Sequence, residues 1–595
     1  MNKPNNLHSF HIPVMGIGFT IDTAVKVAPY GISSVISLVD DMLMEKMRKF
    51  YCEKINQPYL AITEKTKDFR ADRITAYLNL IDKIVKDKFE ELKNSIHEKG
   101  SEIFKYIEML PDISDIKKNF KELINNKAST SELFNWINEH LYPGSIDVNI
   151  MTKLDKPNYD EKEKLPVEFN DAHSALRGFA NSDLKSSIVL SAGINTRLYS
   201  YFETFEDFYP DSNLNLNKKI TLKVSDYRSA IIQSKLFAKK GLWVSEYRIE
   251  SGLNCGGHAF ATEGHLMGPI LQEFKNNKEN LINSTFELYI AALKSKNKAY
   301  PSKPYKIKIT AQGGVTNNYE HNFLLNHYNL DSVGWGTLFL LVPEVVNVNE
   351  DTLKLLCDAD KDDLYLSDIS PLGIKFNSIK GNSKDIEKQT LIDKGKPGSN
   401  CNKKYACLNS ELSSTNICTA SKHYQKLKIL QLEQKNLNKE EYEKEYKKIT
   451  DKACICNGLG TTALLVNNID TTFEGTGVSI CPGPSMEYFN KIVTLSQMLA
   501  HIYGKSSVID DFNYPDLFLK EIYLYINFLK NKYKEAQQPL NSKQLKYFTD
   551  FKNNLIEGIN YYKVLYSKYT INPALSKDYC LNLLADYEKQ INTLF

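Results

Sequence analysis

The chain is 595 residues long, more than one hydrophobic core usually supports, and its 75 Lys and Arg against 72 Asp and Glu leave a formal charge of +3. That near balance argues against a chain built mainly to coat nucleic acid or an anionic membrane. No apolar run approaches the roughly 20 residues needed to span a bilayer. The opening "MNKPNNLHSFHIPVMG" lacks the basic head and apolar stretch of a secretory signal, so a cytoplasmic protein without membrane attachment is expected.

Two short β-branched runs, "IPVMGIGF" (12–19) and "ISSVISLV" (32–39), flank a helix-like stretch that closes on glycine, which predicts one βαβ unit. From 51 to 143 the pattern turns to charged helices, with Ile74, Leu78, Ile81, Ile84 and Phe89 near helical spacing, and predicts an inserted helical subdomain. The alternation resumes with runs at 145–151, 186–193, 219–225, 242–249, 305–314 and 331–341, separated by helical segments. With the first two they make eight strands in β/α order, the count a (β/α)8 TIM barrel requires; an open doubly wound sheet fits the alternation nearly as well. The barrel is therefore expected over 1–50 and 144–350.

A polar, lysine-rich, cysteine-bearing unit is expected from 351 to 485 and a helical region from 486 to 595. In the latter, Leu519, Ile522, Ile526, Leu529 and Tyr533 recur at three- and four-residue steps, as a core-facing stripe does.

In a β/α barrel the active site forms at the carboxyl ends of the strands, and here those ends are rich in glycine: "MGIGF", "SAGIN", "SGLNCGGH", "AQGGV" and "GWGT". Glycines after the last two strands, Gly313, Gly314, Gly334 and Gly336 with Thr337, fit a phosphate cradle of backbone N–H groups, though any single Gly-Gly is more often a tight turn. His258, directly after Gly256 and Gly257, has the side chain best suited to proton transfer near neutral pH; a lone histidine is more often a satisfied turn residue. No metal-ligand spacing links His173, His265, His321, His327 or His423.

These residues carry a resemblance. "IPVMGIGFTIDTAVKVAPYGISSVISL", "ESGLNCGGHAF", "IKITAQGGV" and "LDSVGWGTLFLLVPE" are similar, in that order, to the first strand and helix, the catalytic strand end and the two phosphate-binding strand ends of nitronate monooxygenases (2-nitropropane dioxygenases). Flavin-dependent enoyl reductases share these elements. The resemblance covers 11–50 and 144–344 and implies a barrel that binds FMN and acts on a small-molecule substrate, with NAD(P)H or another redox partner. It implies His258 as catalytic, Gly313, Gly314, Gly336 and Thr337 at the FMN phosphate, and Met15, Gly16 and Gly18 along the flavin ring, with Ser191, Lys223 and Glu250 lining the mouth. The chain departs from the family in reading "MGIGF" for an Ala-Pro-Met type turn and in placing Cys255 where alanine is common; that cysteine reads as a bland small residue before a reactive thiol.

Seven of the ten cysteines fall between 357 and 481, and such clustering in a reducing compartment suggests metal or redox chemistry rather than disulfides. Cys401, Cys418, Cys454, Cys456 and Cys481 are candidate ligands for an iron–sulfur cluster, which "CPGP" favours, or less so for zinc; ordinary reduced thiols are the alternative, as no Cys-x-x-Cys pair occurs. The leading expectation is an FMN-dependent oxidoreductase. Its rivals are an NAD(P)H-dependent enoyl reductase, a flavin-free phosphate-binding lyase or isomerase, and a metal-stabilised scaffold without catalysis.

Overall fold

The computed structural model describes residues 7–97, 101–160, 163–191, 193–413, 415–536 and 539–594. Eight parallel strands form its centre: β1 (Phe10–His11), β2 (Ser34–Ser37), β3 (Ile146–Met151), β4 (Ser187–Ser191), β5 (Lys219–Val224), β6 (Val244–Glu250), β7 (Lys308–Gln312) and β8 (Ser332–Gly334). Their order around the sheet is β1-β8-β7-β6-β5-β4-β3-β2, so that every strand lies beside its neighbours in sequence and the last lies beside the first. A parallel bridge from Ile12 to Ser34 and the Ile12 N–H bond to Ser33 O (2.9 Å) join β1 to β2. The ring therefore closes as a (β/α)8 barrel, and the open sheet is excluded because its strand order must reverse at a switch point.

Strand limits differ from the sequence expectation most at the two ends. The first strand sits ahead of "IPVMGIGF", because Pro13 has no N–H to give and Gly16, at φ +136°, turns the chain out of the sheet. The run 331–341 splits into β8 and a short 3₁₀ turn, Thr337–Leu341, whose leucines pack in the core.

Between β2 and β3 run helices α1 (Asp41–Lys54), α2 (Phe69–Asn94) and α3 (Glu102–Met109), then two more short helices within 115–140. Ile74, Leu78, Ile81, Ile84 and Phe89 of α2 are all buried. Up to Val85 α2 belongs to the main core, whereas Phe89 and Leu92 join Ile103, Tyr106, Phe120 and Ile137 in a second, smaller one. The insert is thus half barrel wall and half separate subdomain.

The post-barrel chain packs across the barrel mouth. It contributes an antiparallel hairpin, β9 (Leu364–Ser367) and β10 (Phe376–Ile379), and helix α4 (Ile455–Val466). Leu356, Phe376, Ile379, Ile455 and Leu464 share one continuous core with the strands, as do Leu519, Ile522, Ile526 and Leu529 of α5 (Leu517–Glu535). α6 (Ser542–Lys568) packs beside α5, and Tyr562 ties the two to the barrel, its hydroxyl accepting the Gly268 N–H at 2.9 Å and donating to Glu521 Oε2 of α5 at 3.4 Å. No helix of the described residues is long and apolar enough to cross a membrane.

Candidate active site

Alternate residues of a strand face the barrel axis. On β6 these are Glu246, Arg248 and Glu250; lower down, Glu246 and Arg248 pair at 2.7 Å and fill the axis. At the carboxyl end the uppermost inward residues of three neighbouring strands meet: Lys223 Nζ lies 2.7 Å from Glu250 Oε2, and Gln312 Nε2 donates to Glu250 Oε1 at 2.6 Å.

Above them lies a cavity of about 440 Å³, within the range of small-molecule and cofactor sites. Met15, Gly16, Ser191 and Lys223 line it on one side; Gly256, Gly257 and His258 line it on another. Gly313, Gly314, Gly334, Gly336 and Thr337 complete the barrel's share. The exception among the expected residues is Gly18. Its N–H bonds to Leu459 O at 2.8 Å, and a Cβ there would lie 2.7 Å from Gly460 O, so it is a packing point for α4 rather than part of the cavity. Of "SAGIN", Ala192 lies outside the described residues.

The glycines are required for different reasons. Gly313 (φ +119°) and Gly314 (φ +78°) are left-handed, and added Cβ atoms would fall 2.6 Å from Cys255 Sγ and 1.9 Å from Asn254 Nδ2. Gly256 lies under the Cys481 carbonyl, which also accepts the Gly257 N–H at 3.3 Å. Gly257 (φ +79°) has open space where a Cβ would point. Thr337 is already engaged, its Oγ1 accepting the Gly483 N–H at 3.0 Å.

His258 is gripped from outside the barrel. Ala259 N–H bonds to Lys375 O and Asn377 N–H to Gly257 O, both at 2.9 Å, and the Phe376 ring meets the imidazole edge-on at 4.9 Å. Ser370, fully buried, has its Oγ 2.8 Å from His258 Nε2. Burial, then the Lys223 charge, lowers the imidazole to a pKa of about 4, so the ring is neutral at pH 7. Burial and the Glu250 charge push the Cys255 thiol up, away from the thiolate form.

Sequence reasoning missed Ser370 and Phe376, which no local pattern ties to a barrel mouth. It also passed over Asn254 and Gln312, although both stand beside the quoted glycines and line the cavity. Of the expected metal ligands, Cys401, Cys418, Cys454 and Cys456 come together, with Cys407 added. Cys481 stands apart, its Sγ directed to Met15 O at 3.8 Å. Among the described residues no group of three or more His, Cys, Asp or Glu is disposed to hold a metal ion.

No protein-family model matches the chain, and neither does any curated protein. Among solved structures, FabK from Thermotoga maritima aligns at 12% identity over 71% of this chain and 86% of its own, with a TM-score of 0.29. The enoyl reductase domain of MlnA from the macrolactin biosynthesis cluster of Bacillus amyloliquefaciens aligns at 13% over 76% and 88%, TM-score 0.32. Nitroalkane oxidase from Streptomyces ansochromogenes aligns at 10% over 65% and 86%, TM-score 0.28. The barrel assignment rests on the strand order.

Proposed function

We propose that the chain is an FMN-dependent oxidoreductase acting on a small molecule at the barrel mouth. The observation that carries this reading is the cavity itself, where a neutral histidine and left-handed glycines converge at the carboxyl ends of the strands. The residues present fit FMN. Gly313, Gly314 and Gly336 would hold its phosphate, and Met15 and Gly16 would flank the ring. When bound, the flavin supplies the two-electron chemistry that no side chain can.

The chain's own residues orient and polarise. Ser370 Oγ accepts the Leu372 N–H at 3.3 Å, and His258 Nε2 is the acceptor in reach of its own proton among the described residues. With the hydroxyl donating to Nε2, the neutral ring would carry its hydrogen on Nδ1, and Nδ1 would present a donor rather than a lone pair. Such a histidine steadies negative charge growing on a substrate oxygen and does not take a proton from carbon. This favours the enoyl-reductase reading, with a conjugated carbonyl as substrate and NAD(P)H as electron donor, over abstraction of a proton from a nitroalkane.

The test is to release the cofactor with acid after purification without oxygen, and to add NAD(P)H to the holoprotein. FMN in the supernatant and bleaching by NAD(P)H support the reading. A colourless protein that is folded and takes up no added FMN overturns it, and FMN that only a nitronate reduces overturns the choice of substrate.

A further inference from the structure

The thiols outside the flavin reading form a group of their own. Cys401 and Cys407 lie on the loop that follows the helix Ser383–Asp393, and Cys418 closes that loop ahead of the helix Lys422–Glu433. Cys454 caps the N-terminus of α4, and Cys456 sits in its first turn. Cys401 Sγ is 3.8 Å from Cys407 Sγ and takes a second hydrogen bond from the Cys418 thiol. Cys454 is bonded in the same way by Cys456, and charge on Cys401 is felt by both. All ten cysteines of the chain are free.

Within its half of the group Cys401 is the sulfur open to approach, half-buried where Cys407 and Cys418 are buried. Cys52 and Cys580, elsewhere in the fold, have no thiol beside them and are raised by burial. The loop is pinned at its centre, where Lys403 pairs with Asp40 at 2.6 Å and Tyr405 donates to the same carboxylate, while Cys401 is half-buried at its edge.

We propose that this group is a thiol–disulfide exchange site for low-molecular-weight disulfides, with Cys401 as the attacking thiolate and Cys407 as the thiol that resolves it. The Cys401 sulfur bonds to one sulfur of the incoming disulfide, whose S–S bond breaks and releases the first thiolate. Cys407 then loses its proton to that thiolate and attacks the Cys401 sulfur, which expels the second. The balance is one thiolate, one thiol and one external disulfide converted to an internal disulfide, one free thiol and one free thiolate. The 3.8 Å gap has to close to about 2.05 Å, a movement of under about 2 Å for a loop sulfur. Ala406, next to Cys407, and Cys456 both line the cavity, so making the bond moves part of its wall.

The site does not depend on the flavin. The test uses the full chain, purified without oxygen, equilibrated in glutathione buffers of rising oxidised fraction, alkylated and mapped by mass spectrometry, with metal content measured beforehand. The expected result is loss of two alkylatable thiols as a Cys401–Cys407 cross-link. Cys407→Ser should instead trap glutathione on Cys401, and Cys401→Ser should abolish both products. Thiols that stay reduced and alkylatable throughout overturn the proposal, as does a cross-link to Cys418 instead. Stoichiometric iron or zinc that protects Cys401, Cys418, Cys454 and Cys456 from alkylation also overturns it and assigns a metal centre.

Discussion

At the scale of single residues, His258 shows what a neighbour outside the motif can do. "GGH" alone offers a histidine that is free to act as acid or base; the Ser370 bond and the loss of hydration leave it a neutral ring with one usable nitrogen. A folded-state pKa lowered to about 4 means that the ring binds its proton only below that pH. Between about 4 and the ordinary value near 6.5 the unfolded chain holds more protons, so this histidine's contribution to stability rises with pH across that window. We expect the His258 imidazole NMR signals to stay those of a neutral ring from pH 8 down to about 5, and turnover to show no ionisation near 6.5; a limb there that disappears in His258→Ala would refute the donor role. Ser370→Ala removes one orienting hydrogen bond, and steady-state kinetics should show kcat lowered about tenfold with KM little changed.

At the scale of elements, much was legible because parallel strands impose a strong pattern. Seven of the eight barrel strands carry β-branched residues, and Gly16, Gly257, Gly313 and Gly314 sit past strand ends where the chain turns with φ above zero. Less legible was where pairing stops. Pro13 and Gly16 lie inside an apolar run that reads as strand yet cannot continue a ladder, and the 3₁₀ turn after β8 keeps an apolar composition because it, too, is buried. The two kinds of glycine separate experimentally. Gly257→Ala places a methyl in open space and should cost only the left-handed strain of about 1–2 kcal/mol, while it intrudes on the cavity. Gly314→Ala adds a collision with the Asn254 amide, so its thermal unfolding should fall clearly below that of Gly257→Ala. Fluorescence titration with FMN reports the other consequence: Gly257→Val should weaken binding while the circular dichroism of the fold is kept.

Across the whole molecule, the barrel is fastened to the C-terminal helices through buried acids. Glu320, on the barrel helix Asn318–Tyr328, accepts from the Leu517 N–H at 2.9 Å and from the Thr316 N–H at 2.7 Å; Asp516 caps α5 and takes the Tyr566 hydroxyl at 2.6 Å. Burial, with Asp516 nearby, raises Glu320 to about 8, and burial raises Asp516 to about 6. For an acid raised in the folded state, the native chain holds the extra proton, so stability is full below the unfolded value near 4 and is lost as pH climbs toward 8. Glu320→Gln should therefore flatten the fall in melting temperature between pH 5 and 8, at most about 1.4 kcal/mol per pH unit for one group. An unchanged slope would place the titration elsewhere. None of this fastening is visible in sequence, where Glu320 is one acid on an amphipathic helix and its partners lie far along the chain.

The cavity wall is shared between strand ends that finish at Gly336 and a later segment that supplies Phe376, Leu459 and Ser485. Synthesis proceeds in one direction, so a nascent chain that has closed its eight strands still has an open mouth until Ser485 has left the ribosome. Capture of the proposed FMN would then be a late event in the life of each molecule, and a chain cut short between those points would emerge as a ring with nothing to keep a ligand in.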